Sequence, residues 1–218
     1  MKFIRWSGLV LLAAGLHLAA PAAEPLNLST AKAEVLYYVD AGTYEREVAG
    51  VAEEAKAWMT DRASQRRAGE KLALVLDIDE TALTNLPHMR EMDFGYLPAM
   101  WDEWVAEGTA QPLAPVFDVY RLARRLDVAV FFVTGRKESD RPGTERNLRE
   151  VGYGEYVQLL MKPNDTRTVT RVFKTETRRE LERAGWIIIA NVGDQTSDLE
   201  GGAAEKTFKL PNPFYRIE

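Results

Sequence analysis

The 218-residue chain contains no cysteine and only two histidines. Without cysteine there is no disulfide framework, no thiolate nucleophile and no lipid anchor on an N-terminal cysteine. One of the histidines, His17, lies in an apolar N-terminal stretch, which leaves His88 as the single imidazole of the remaining chain. Phosphatases built on a pair of histidines are thereby excluded, as are ordinary His/Cys zinc sites. A Ser-His-Asp triad would rest on His88 alone. The chain also lacks a basic excess, its formal charge being -5, so it has no electrostatic footprint for a nucleic acid polymer. What remains for hydrolytic chemistry is carboxylate and a hard metal ion.

The N-terminus has the layout of a secretory signal peptide. Lys2 and Arg5 precede an apolar run from Leu9 to Ala20, Ala20-Pro21-Ala22 is a small-x-small cleavage site, and no acid occurs before Glu24. The run is short for a membrane span. Residues 1–22 are therefore expected to be removed on export to a periplasmic or extracellular compartment. Residues 23–218 then form one domain with no stable membrane anchor.

Residues from Asn27 to about Ser64 read as helical with a break at Ala41-Gly42. After the break Thr43 is placed to cap a helix whose apolar stripe is Tyr44, Val48, Val51, Ala55, Trp58 and Met59. Tyr37 and Tyr38 are read as packing residues. Short aliphatic runs at 72–77, 128–133, 156–160 and 186–191, with a weaker one at 206–210, read as buried strands. Helical patterns at 116–126, 144–150 and 175–184 lie between them, the last two stopping at Gly152 and Gly185. This alternation predicts an α/β fold: a Rossmann-like parallel sheet with helices on both faces. A segment of about 86–113, rich in aromatics, is too long for a simple connection and predicts a small lid inserted after the first strand.

Ligands of an open parallel sheet bind beyond the carboxyl ends of its strands. The first predicted strand ends in Asp77-Ile78-Asp79-Glu80-Thr81, the second in Thr134-Gly135-Arg136, and the fourth in Val192-Gly193-Asp194 with Asp198 four residues on. Lys174 lies in the connection after the third. Asp77 and Asp194 suit a hard cation such as Mg2+. Asp77 can attack phosphorus, and Asp79 can protonate the leaving alkoxide and later deprotonate water. Thr134, the Gly135 amide and Lys174 supply donors and charge to the phosphoryl oxygens, with Arg136 in support. Asp198 is placed to hold Lys174 or to act through a metal-bound water. Phe94, Trp101 and Trp104 of the lid are candidates for stacking on an aromatic leaving group, with a small lid core as the alternative. His88 is read as structural, with substrate contact as the alternative.

These residues resemble the four motifs of the haloacid dehalogenase superfamily: Asp77-x-Asp79-x-Thr81, Thr134-Gly135-Arg136, Lys174, and Gly193-Asp194-x-x-x-Asp198. Phe173-Lys174-x-x-x-Arg178 and Leu210-Pro-Asn-Pro213 resemble its acid phosphatase branch, with plant vegetative storage proteins and bacterial exported phosphatases. The resemblance implies Asp77 as nucleophile, Asp79 as acid/base, and Mg2+ on the Asp77 carboxylate, the Asp79 carbonyl and Asp194. It implies Thr134 and Lys174 as phosphate ligands and phosphomonoesters as substrates; nucleoside monophosphates are the candidates that the aromatic lid adds. Lys162 also follows the third predicted strand, but the aromatic-Lys-x-x-x-Arg pattern selects Lys174, and Lys162 is read as a surface charge. A phosphotransferase using the same intermediate, and a storage or binding protein on the same scaffold, are the alternatives.

Overall fold

The computed structural model describes residues 25–164 and 167–217; the signal-peptide reading of residues 1–22 lies outside them. Helix α1 (Leu28–Asp40) opens on Asn27, whose side chain accepts from the Ser29 and Thr30 amides. Gly42, at φ +69°, makes the break and is itself the N-cap of α2 (Thr43–Ser64), while Thr43 accepts from the Arg46 side chain instead of capping. Tyr38 packs edge-on against Tyr44, but Tyr37 is exposed.

Strand β1 (Lys71–Leu76) is followed by a two-residue strand β2 (Leu83–Thr84), α3 (Leu86–Glu91), α4 (Pro98–Glu107) and β3 (Gln111–Pro112). Then come α5 (Ala114–Arg125), β4 (Ala129–Lys137), a 3-10 turn at Glu138–Asp140, and α6 (Arg141–Glu150). The chain finishes with β5 (Gln158–Lys162), α7 (Thr170–Arg183), β6 (Trp186–Gly193), α8 (Thr196–Leu199) and β7 (Thr207–Lys209). Helices α3 to α6 each carry a proline in the first turn, where a missing N–H breaks no helical bond. Gly152 and Gly185 follow their helices at φ +100° and +86°, as the sequence predicts.

Five strands form one parallel sheet in the order β5-β4-β1-β6-β7, so the α/β expectation holds. The alternation of β1 builds two cores. Leu72, Leu74 and Leu76 face α2 and α5, burying Val48, Ala55, Met59, Val116 and Val119. Ala73 and Val75 face the other way with Phe131, Val133, Ile188 and Leu181 of α7. No helix among the described residues is long and apolar enough to cross a membrane.

Two features of this order position the site. The chain passes from β1 outward through β4 to β5, then returns to the other side of β1 as β6, which makes the carboxyl end of β1 the switch point of the sheet. The inserted segment is held to the body by α4 lying against α6. Gly143 permits the contact: a Cβ there would lie 2.2 Å from the Val105 carbonyl oxygen.

Candidate active site

Asp77 follows the last residue of β1, with its amide donating to the Val192 carbonyl of β6, and its carboxylate is buried at the switch point. Asp194 follows β6 directly. Asp198 lies in α8 and packs against the β6 end so closely that a Cβ on Gly193 would be 2.4 Å from its own Cβ. Carboxylate oxygens of Asp77, Asp194 and Asp198 all lie within 4.8 Å of one another.

Lys174 joins them from α7, which begins at Thr170, ahead of the Thr175 start that the sequence pattern predicted. Its Nζ donates to Asp77 Oδ1 at 2.5 Å and to Asp198 Oδ1 at 2.6 Å. Arg178, one helical turn on and on the same face, is 1% exposed and donates to the carbonyls of Asp198 and Glu200. The Lys-x-x-x-Arg spacing thus has a physical reason: one cation binds the side-chain oxygens of the acidic cluster, the other ties down its backbone.

Asp79 is turned to another partner. Arg136 grips it through Nε (3.1 and 3.2 Å) and Nη2 (2.7 Å), and steadies its own guanidinium on Thr144 Oγ1 at 3.1 Å. β4 runs to Lys137, so Thr134, Gly135 and Arg136 sit within the strand end instead of following it. The Thr134 hydroxyl is fully buried and accepts from the Arg136 amide at 3.0 Å; it is not on the cavity wall, whereas Gly135 is.

A cavity of about 530 Å³ opens over these groups, lined by Asp77, Asp79, Gly135, Lys174, Asp194 and Asp198 below and by Phe94, Tyr96 and Trp101 above. Trp104 stands behind the wall, stacked on His88 at 5.5 Å. His88 is buried between Trp104 and Trp101 and also reaches the wall, so it both packs and faces the cavity. Lys162, expected as a surface charge, is half-buried on the wall: β5 ends two residues later than the apolar run indicated, pairing Lys162 with Lys137.

Several contributors lay outside the sequence reading. Glu80, buried at φ +51°, accepts from the amide and side chain of Asn85 at 2.6 and 3.0 Å and from the Tyr215 hydroxyl at 2.9 Å. Asn212 and Gln195 each donate to Asp194 Oδ2 at 2.6 Å. Asn212 belongs to the Leu-Pro-Asn-Pro run, so that motif had carried a signal; Asn85 and Tyr215 carried none.

Charge is unbalanced here. Five carboxylates, Asp77, Asp79, Glu80, Asp194 and Asp198, face two cations, Lys174 and Arg136. Burial pushes Asp77 well above the usual carboxylate range; Lys174 opposes this and the neighbouring acids reinforce it. Burial, then the charge of Asp198, pushes Asp194 up to about 6, against the hydrogen bonds from Asn212 and Gln195. Burial and the charge of Asp79 push Glu80 up to about 8. Burial disfavours the Lys174 charge, but Asp198 and Asp77 outweigh it, so the ammonium is retained. Surplus buried negative charge, hard oxygen donors and a buried Ser197 Oγ with no partner among the described residues fit a divalent cation at Asp77, Asp194 and Asp198.

Comparison with known proteins agrees with this geometry. Residues 11–218 match the family model described as HAD superfamily, subfamily IIIB (Acid phosphatase). A stem 28 kDa glycoprotein of Glycine max is 37% identical over 155 residues, 68% of this chain and 61% of that protein. Acid phosphatase 1 of Solanum lycopersicum is 36% identical over 148 residues, 66% of this chain and 58% of that protein. The chain thus spans about three fifths of the length of these curated relatives. Among solved structures, the Class C acid phosphatase from Bacillus anthracis matches with a TM-score of 0.71 and 26% identity, covering 86% of this chain and 84% of that one.

Proposed function

This chain belongs to subfamily IIIB of the HAD superfamily, the acid phosphatases, and from that premise we propose that it hydrolyses small phosphomonoesters through a phosphoaspartate at Asp77. The observation that carries the reading is the pairing at the end of β1. Asp77 lies buried at the cavity floor against Lys174, and Asp79, two residues on, lines the same cavity in the grip of Arg136.

In this mechanism an Asp77 carboxylate oxygen attacks phosphorus and the ester P–O bond breaks. Asp79 gives its proton to the departing alkoxide. Asp79 then takes a proton from water, whose oxygen attacks phosphorus; the Asp77–phosphorus bond breaks and inorganic phosphate leaves. Lys174 keeps positive charge beside Asp77 throughout, and the Gly135 backbone on the cavity wall is placed to meet a phosphoryl oxygen. A Mg2+ ion held by Asp77 and Asp194, with Asp198 and the Asp79 carbonyl beside them, would supply the charge screening that an anionic nucleophile needs against an anionic ester.

The volume of the cavity, with Phe94, Tyr96 and Trp101 on its wall, suits substrates with an aromatic leaving portion such as nucleoside monophosphates. Export to a periplasmic or extracellular compartment is part of the same proposal and rests on residues 1–22; N-terminal sequencing of the exported chain tests it.

The activity is tested by p-nitrophenyl phosphate hydrolysis with and without Mg2+, beside Asp77→Asn. Metal-dependent turnover lost in the variant is expected. Turnover indifferent to EDTA and to the substitution overturns the mechanism, and absence of turnover on any phosphomonoester favours a storage role.

A further inference from the structure

Asn85, between β2 and α3, makes three side-chain hydrogen bonds, each to a different residue. Its Nδ2 donates to Asp79 Oδ1 at 2.9 Å and to Glu80 Oε2 at 3.0 Å, and its Oδ1 accepts from the indole Nε1 of Trp104 at 2.8 Å. The orientation of this amide is dictated chemically. An indole N–H only donates, so the oxygen must face Trp104, which leaves the nitrogen to face the acids. Asn85 is 1% exposed, and its amide also donates to Glu80 Oε1 at 2.6 Å.

The consequence falls on Asp79. Its Oδ1 receives Asn85 Nδ2 and Arg136 Nη2 at 2.9 and 2.7 Å; the one Arg136 Nε–H is shared between Oδ1 at 3.1 Å and Oδ2 at 3.2 Å, and Oδ2 receives nothing else among the described residues. Two undivided donors and the shared Nε–H leave Oδ1 no lone pair for a proton; Oδ2 has room for one. Both groups that hold Asp79 are in turn held by the inserted segment. Trp104 bonds Asn85, Trp101 lies over the Arg136 guanidinium at 5.6 Å, and His88 is packed between the two tryptophans.

We infer that Asn85 is a positioning residue that reserves Asp79 Oδ2 for proton transfer, and that Trp104 sets Asn85 for that task. The segment between β2 and β3 therefore acts in the proton-transfer step as well as in enclosing the substrate. This rests on the reading of Asp79 as proton carrier. The proton on Oδ2 passes to the ester oxygen as the P–O bond breaks, and Oδ2 recovers a proton from the attacking water, so no other donor is consumed.

The test exploits the leaving group. A nitrophenolate departs without protonation and an alkoxide does not, and kcat/KM reports only steps up to leaving-group departure. We would compare kcat/KM for p-nitrophenyl phosphate and for β-glycerophosphate in Asp79→Asn, Asn85→Ala and Trp104→Phe, all with Mg2+. Asn85→Ala is expected to lose about tenfold more on the alkyl ester than on the nitrophenyl ester, the size of one buried charge-assisted hydrogen bond. Trp104→Phe, which removes the N–H with the pyrrole ring but leaves a six-membered ring beside His88, is expected to lose about threefold more on the alkyl ester; any loss from the smaller ring alone falls equally on both esters, so this variant decides the matter if Asn85→Ala fails to fold. Equal losses on both esters in these two variants, while Asp79→Asn keeps its differential, overturn the inference. No differential in Asp79→Asn itself overturns the proton-carrier reading, and the inference with it.

Discussion

Lys174 Nζ lies 2.5 Å from Asp77 Oδ1, an ion pair with both side chains about 95% enclosed and formed across 97 residues of chain. Such a pair contributes little to folding for its own sake, because desolvating both charges costs about what their attraction returns. Removing one partner is another matter. In Lys174→Met, the buried acids Asp77 and Asp198 lose their common cation. Phosphatase activity should fall by about two to three orders of magnitude. The metal-free chain should lose about 3 kcal/mol in thermal unfolding with EDTA. A variant with wild-type kcat/KM would show that Lys174 only offsets charge.

Stability of the metal-free protein should decline as pH rises from about 4.5 to 8. Glu80 (raised to about 8) and Asp194 (raised to about 6) hold protons in the folded state that the unfolded chain has released. A raised carboxyl contributes stability that is complete below its unfolded value and lost as pH climbs toward its folded one. Glu70 acts in the opposite sense. The Arg67 amide first, then the Arg62 side chain, bring it to about 2, so its contribution is lost only as pH falls below about 4.5. Melting temperatures across pH 4 to 8 with EDTA check the slope. A flat profile would show that these carboxyls titrate alike in the folded and unfolded chain.

Mg2+ should reverse that slope. The cation competes with protons for the same oxygens, so its effect on the melting temperature should be larger at pH 8 than at pH 5. Asp194→Asn should abolish the Mg2+-dependent shift while leaving the EDTA melting curve unchanged or raised, since one buried negative charge is gone.

Gly143→Ala tests how the inserted segment is seated. The added Cβ meets the Val105 carbonyl at 2.2 Å, and backbone on both sides has no slack. Separation of α4 from α6 should cost about 1–3 kcal/mol. Because Trp101 and Trp104 ride on α4, substrate turnover should fall with it. A variant of wild-type stability and activity would show that the segment is free to shift on the body.

Short aliphatic runs and helical patterning made the strands, the helix stops at Gly152 and Gly185, and the row of acids at the ends of β1 and β6 legible, since each is a local property of the chain. Asp77, Asp79, Asp194 and Asp198 could be named because acids directly after aliphatic strands have one place to go in a parallel sheet, its carboxyl rim. Local pattern does not say how far a strand runs past its apolar core. For that reason Thr134 turned up inside β4 with its hydroxyl on the Arg136 amide, and Lys162 on the cavity wall. Nor does it say which polar side chains meet. That Asn85 joins Trp104 to Asp79, or that Tyr215 returns to Glu80, depends on the order β5-β4-β1-β6-β7 and on the path of the last residues across its rim. The residue types of the chemistry are written in the chain; which oxygen of Asp79 is free to carry a proton is decided by contacts between segments far apart along it.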